Sequence, residues 1–88
     1  MKRSVYLIKD KVSNSVVDIL FSVNDAMAIR SSLPSVSRRI PVSDIEYYCI
    51  SESFDIESMC LDLLDSPRFV PQDSYKFPET QTESFKKD

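Results

Sequence analysis

Phe21-Ser22-Val23-Asn24-Asp25-Ala26-Met27-Ala28-Ile29-Arg30 decides how the chain is read, because its side-chain period changes from two to about three and a half within a few residues. Val17, Ile19, Phe21 and Val23 alternate as one face of a strand, whereas Ala26, Ile29 and Leu33 recur as one face of a short helix. Between them stand Asn24 and Asp25. Their side chains can accept hydrogen bonds from the unpaired amides of a first helical turn and complement its positive end. The stretch predicts a strand-to-helix junction, with capping preferred over ligand binding for the two polar residues.

Working outward, Ser4 to Lys9 is rich in β-branched and aromatic residues and reads as a first strand. Turn formers fill Asp10 to Ser15, and a second apolar run follows from Val16 to Val23. So short a connection favours an antiparallel hairpin. Downstream, the helix is predicted over Asp25 to Leu33, ended by Pro34, with Ala26, Ile29 and Leu33 against the sheet and Met27 and Arg30 nearer solvent. A helix this short is marginal alone and needs that packing. Pro34 to Ser43 reads as a loop carrying Arg38 and Arg39.

The third strand is predicted over Asp44 to Ile50, with Ile45, Tyr47 and Cys49 on one face and Glu46, Tyr48 and Ile50 on the other. Ser51 to Asp55 reads as a turn. Met59 to Leu64 alternates as a short fourth strand, a single helical turn being the other reading. After Asp65 the composition shifts to Pro67, Pro71, Pro78 and scattered aromatics, as in an extended or disordered tail. The expected organisation is an α+β core over residues 1–65 and a tail over 66–88. The core is a small antiparallel sheet of order β-β-α-β-β with one helix on one face.

Composition removes several function classes. The chain of 88 residues has no glycine, so a dinucleotide-binding glycine loop, a phosphate-binding P-loop and a nucleophile elbow are all excluded, as is the basic-Gly-aromatic run of sheet-based RNA readers. It has no histidine either, and only Cys49 and Cys60 as thiols, which rules out Cys₂His₂ and Cys₄ zinc sites within one chain. No apolar run approaches the ~20 residues of a membrane span. Met1-Lys2-Arg3 resembles a signal leader, but Lys9-Asp10-Lys11 interrupts the apolar segment, so export is not expected.

The remaining candidates are sparse. Asp44 with Glu46, and Asp62 with Asp65, could in principle bind a hard cation, yet both pairs fit solvated positions. Cys49 and Cys60 lack a basic neighbour in sequence and are expected to be free and mostly buried, a disulfide being the lesser alternative. No cofactor, metal or small-molecule substrate is expected, nor catalysis. Net charge is −3, but Ala26 to Ser43 holds no acid while Arg30, Arg38 and Arg39 supply three cations. These arginines are the candidate nucleic-acid contacts, and Tyr6 with Tyr48 forms a candidate stacking platform.

The ordered string Tyr6, Asp10-Lys11, Phe21, Asn24-Asp25-Ala26, Ala28-Ile29-Arg30, a proline-containing loop, Asp44, Tyr47-Tyr48 and Phe54-Asp55 resembles the small non-structural protein of gokushoviruses. These are Microviridae phages with single-stranded circular DNA. Asn-Asp-x-x-Ala-x-Arg would be the signature, and here it reads Asn24-Asp25-Ala26-Met27-Ala28-Ile29-Arg30 with the spacing of the alanine and arginine as it stands. Ser51-Glu52-Ser53 replaces the glycine that often precedes the aromatic-Asp pair, and the usual second-strand prolines are absent.

The resemblance implies an early protein of the infected host's cytoplasm, outside the mature virion. Its implied role is assistance to viral DNA replication or single-stranded DNA synthesis, by binding single-stranded DNA or the viral replication initiator. The alternative is a protein-interaction adaptor recruiting a replication or host factor through its tail or a free sheet edge. A small core also makes a homodimer, by edge pairing or face packing, an expectation of the sequence.

Overall fold

The computed structural model describes residues 2–74. They form an α+β fold of one four-stranded antiparallel sheet with a helix on one face. Strands β1 (Lys2–Asp10) and β2 (Ser15–Ser22) make a hairpin, helix α1 (Asp25–Val36) follows, and β3 (Ile45–Asp55) and β4 (Cys60–Val70) make a second hairpin. The sheet order is β2-β1-β3-β4, so β1 and β3 are central and β2 and β4 are the edges. Single 3₁₀ turns cover Val42–Asp44 and Gln72–Ser74. The described part of the expected tail docks here, where Gln72 Nε2 donates to the carbonyls of Val42 and Ile45. Residues 75–88 of that tail lie outside the described residues.

The junction folds as its residues dictate. Asn24 takes an extended backbone, and its Oδ1 accepts from the Met27 amide at 2.9 Å, satisfying one donor of the first turn. The helix then runs past its expected end at Leu33 and includes Pro34. Burial explains the extension. Leu33, Val36 and Ile40 are all in the core, and a bond from the Ile40 amide to the Val36 carbonyl carries the helical path onward. Placing these side chains under the sheet outweighs the missing proline donor and the bias it imposes on Leu33.

The second hairpin also differs from expectation. Ser51 to Asp55 is strand, not turn, and β4 continues to Val70, so the expected boundary after Asp65 falls inside it. Phe54 pairs with Leu61, and Ser51 Oγ, fully buried, donates to the Asp62 carbonyl at 2.7 Å. The polar residues that read as a turn are therefore bonded within the sheet. The actual reversal lies at 56–59, where the Asp55 carboxylate accepts from the Glu57 amide and Met59 takes a φ of 62°. Asn14 serves the first hairpin in the same left-handed region, at φ 58°.

The core lies between α1 and the sheet. Ala28, Ile29, Leu33 and Val36 from the helix, with Ile40 just beyond it, pack on Tyr6, Ile8, Ile45, Tyr47, Cys49 and Val70. Ala26, expected at this contact, is only half-buried, its place taken by Ala28. The Tyr47 hydroxyl meets Ser32 Oγ at 2.7 Å, so the one buried phenol beneath mid-helix finds a partner. Replacing Ile29 by Ala is expected to lower the unfolding free energy by about 2–5 kcal/mol and Asn24 by Ala by about 1 kcal/mol. Urea midpoints of the two variants would measure this; an Ile29→Ala loss no larger than that of the cap would show that the helix is not docked as described.

Candidate functional site

Two surfaces and one ionic cluster hold the residues with functional potential. The first surface is the sheet face opposite α1. Alternation along the strands puts Leu7 and Lys9 on this face, and the pairing register sets Ile19, Leu7, Tyr48 and Phe69 in one row across all four strands. Phe21 and Phe54 close one end with ring centroids 5.2 Å apart, and Tyr48 meets Phe69 edge-on at 5.6 Å. Beneath the first pair lies Val5, which is buried yet stands outside the cluster under the helix.

Among the described residues this face is apolar and uncovered. On it or at its β4 margin Val16, Ile19, Phe21, Leu61, Leu63 and Phe69 remain 47–64% exposed. Six large side chains half in water present on the order of 600 Å² of apolar surface, at the upper end of the roughly 300–600 Å² of the largest patch on a typical monomer, a patch that is often functional. Two shallow depressions indent it. One, about 280 Å³, lies among Leu7, Lys9, Val16, Tyr48 and Pro67; the other, about 260 Å³, lies among Ile50, Leu63, Leu64 and Pro67. The second arises where β4 accommodates Leu64 to Pro67 as an irregularity opposite Ile50.

The second surface is the solvent side of α1. Met27, Arg30, Ser31 and Pro34 follow one another at helical spacing and are all exposed. Arg30 is on α1 itself, whereas Arg38 and Arg39, both exposed, lie in the turn just beyond its end at Val36. Arg30 touches Met27 Sδ at 4.0 Å, and none of the three arginines forms an ion pair with a described residue. The structure therefore puts Arg30 on the helix and Arg38 and Arg39 in the turn after it, and none of the three lines the depressions of the uncovered sheet face.

The expected Tyr6–Tyr48 platform does not exist. Tyr6 is fully buried under the helix and Tyr48 is on the opposite face, because their strands pair with Tyr6 opposite Cys49 and Leu7 opposite Tyr48. Tyr47 and Tyr48 do take opposite faces, as their adjacency requires. Both cysteines are free, but only Cys49 is buried; Cys60 is exposed at the start of β4. Burial pushes the Cys49 thiol above its ordinary range, the reverse of what a nucleophile needs.

The ionic cluster joins four elements. The Asp25 carboxylate accepts the Tyr6 hydroxyl at 2.7 Å and two Arg68 nitrogens at 2.9 and 3.2 Å, while Arg68 Nε donates to Glu52 at 2.9 Å. Arg68 and Tyr6 hold the Asp25 carboxyl below its usual value, and burial with the Asp25 contact raises the Tyr6 phenol. None of these four residues lines either of the two depressions. The cluster locks elements together. Arg68 escaped the sequence reading because it lies in a stretch that reads as tail, 43 residues from its partner.

Comparisons with family models, curated proteins and solved structures return no match to this chain.

A carboxyl whose folded value is depressed stabilises the fold at pH above its unfolded value, and that contribution is lost as pH falls through the folded value. For Asp25 the loss begins below the ordinary 3.8. Acid titration of stability is expected to show a decline there that is shallower in Asp25→Asn and in Arg68→Met. An unchanged slope in both variants would mean that the cluster contributes nothing to acid stability.

Proposed function

We propose that this protein is a non-enzymatic binding module, an accessory factor that docks protein through the uncovered sheet face. The setting is the one that its resemblance implies, assistance to viral DNA replication or single-stranded DNA synthesis in an infected bacterium. The apolar, unoccupied face carries this reading: an antiparallel sheet normally presents polar residues where it meets water. Here Ile19, Leu7, Tyr48 and Phe69 form an apolar row. The absent histidine, the raised Cys49 thiol and an Asp25 carboxylate already bonded to Tyr6 and Arg68 leave no acid, base and nucleophile facing a common cleft among the described residues.

A second reading is direct contact with single-stranded DNA by Arg30, Arg38 and Arg39. What favours it is their exposure close together in sequence, with no ion pair to a described residue. The net charge of −3 weighs against a broad electrostatic footprint, so any such contact would be local and steeply salt-dependent.

Crosslinking of the tagged full chain in infected cells separates these readings. Protein docking requires that a recovered protein be lost with Ile19→Lys and kept when the three arginines become alanine. Recovery of viral DNA that disappears only in the arginine variant supports DNA contact instead. If neither variant changes what is recovered, neither surface is the working one.

A further inference from the structure

We infer that a second copy of this chain covers the uncovered sheet face, the two sheets packing face to face about a two-fold axis that runs along the strands between β1 and β3. The inference rests on the reading that this face docks protein, and it names the occupant. Three properties of the face support it.

Area comes first. The half-exposed side chains and their partly buried neighbours offer roughly 600–900 Å² per copy, against about 800 Å² per partner in a stable interface of standard size. A peptide strand lying in either depression would leave most of the face wet.

Charge complementarity comes second, and it also fixes the orientation. Along β1, Arg3, Val5, Leu7 and Lys9 alternate onto this face, with a cation at each end. Glu46 stands beside Lys9 in the pairing register, on the Tyr48 side of β3, and accepts the Tyr48 hydroxyl at 3.1 Å. A two-fold axis across the strands would lay β1 on the partner's β1 and bring Lys9 over a second Arg3. An axis along the strands between β1 and β3 instead lays β1 on the partner's β3. Lys9 then faces a second Glu46, Leu7 a second Tyr48, and Ile19 on the edge strand a second Phe69. Apolar meets apolar in the middle, Lys9 meets a second Glu46 at one end, and Arg3 at the other end lies over a second Phe54. Aligned packing of twisted sheets with ~10 Å between them is the geometry that sandwiches adopt.

The state of the aromatic rings comes third. A single-stranded nucleic acid needs open ring faces on which bases can stack. Here Phe21 and Phe54 are packed on each other, Tyr48 meets Phe69, and Lys9 Nζ sits over the Tyr48 ring at 5.8 Å. These rings form a surface that fits another apolar sheet. The pairing also leaves both α1 layers outside, each with its Arg30 and Arg38 in solvent.

Edge pairing is the competing way to dimerise. Pro67 and the Leu64–Pro67 irregularity interrupt β4, whereas β2 has only a register shift opposite Ile8 and Lys9. It would leave the face uncovered.

Sedimentation equilibrium of the full chain at 1–100 µM, chosen as roughly the range of ordinary specific dimers, tests the inference. The expected mass is twice the 10.1 kDa of one chain. Ile19→Lys is expected to be monomeric with an unchanged far-ultraviolet spectrum, since Ile19 is exposed in the single chain. Lys9→Glu and Glu46→Lys are each expected to weaken self-association at least tenfold, and the two variants mixed in equal amounts to pair with one another. A wild-type monomer throughout this range overturns the inference. So does a dimer that survives Ile19→Lys, which would place the contact on the β2 edge. A wild-type monomer whose crosslinked protein partner is lost with Ile19→Lys overturns the second copy but leaves the docking reading standing; a monomer with no such partner overturns both.

Discussion

The carboxylate of Asp25 is the point on which the arrangement of layers depends. It stands at the first helical position, where a negative charge complements the end of α1, and it accepts from Tyr6 on central β1 and from Arg68 on edge β4. Three elements distant in sequence are thereby fixed at one place. A paired arginine and carboxylate are more directional than apolar contact, which would let the helix slide over the sheet. Arg68 is 40% exposed and Asp25 29%, so solvent screens the pair and its main effect is on where α1 sits.

Once α1 is held there, the two sheet faces have different fates. Tyr6, Ile8, Tyr47 and Cys49 are covered completely, each phenol with a partner for its hydroxyl. One helix can cover only one face. The adjacent residues Leu7, Tyr48 and Phe69 must point the other way, because side chains alternate in a strand, and they are apolar. A polar choice at these positions would have kept the sheet soluble at no expense to the core, so the composition of the face calls for something to cover it.

Much of this was legible in the sequence, for identifiable reasons. The change of period around Asn24 located the end of β2 and the start of α1, and alternation in Ile45 to Ile50 assigned the faces of β3 correctly. Local signals failed where distant contacts decide. Pro34 reads as a stop, yet burial of Val36 and Ile40 carries the helix through it. Ser51 to Asp55 reads as a turn because serine and aspartate favour turns, yet Ser51 is bonded across to Asp62. Alternation from Val17 to Phe21 is broken by the register shift, which leaves Val17 packed toward the helix and Ile19 on the open face. The arginines were correctly read as exposed, but the apolar face was not recognised, because it is assembled from single residues on all four strands.

The two surfaces lie on opposite layers, and this bears on how the binding roles relate. A cation stripe that shared the apolar face would compete with any protein docked there. Instead Arg30 is exposed on α1, and Arg38 is exposed in the turn that follows it. Covering the apolar face by any partner leaves them in water, and covering it by a second copy doubles them on two outer layers. Weak local contacts to an extended polyanion gain most from such duplication, since a second stripe on the same particle binds at a high effective concentration. The net charge of −3 argues against one chain holding DNA by its overall field but does not oppose attachment through two short cationic stripes. The open sheet face and the exposed arginines thus occupy separate parts of the fold, so that filling the one does not by itself bury the other.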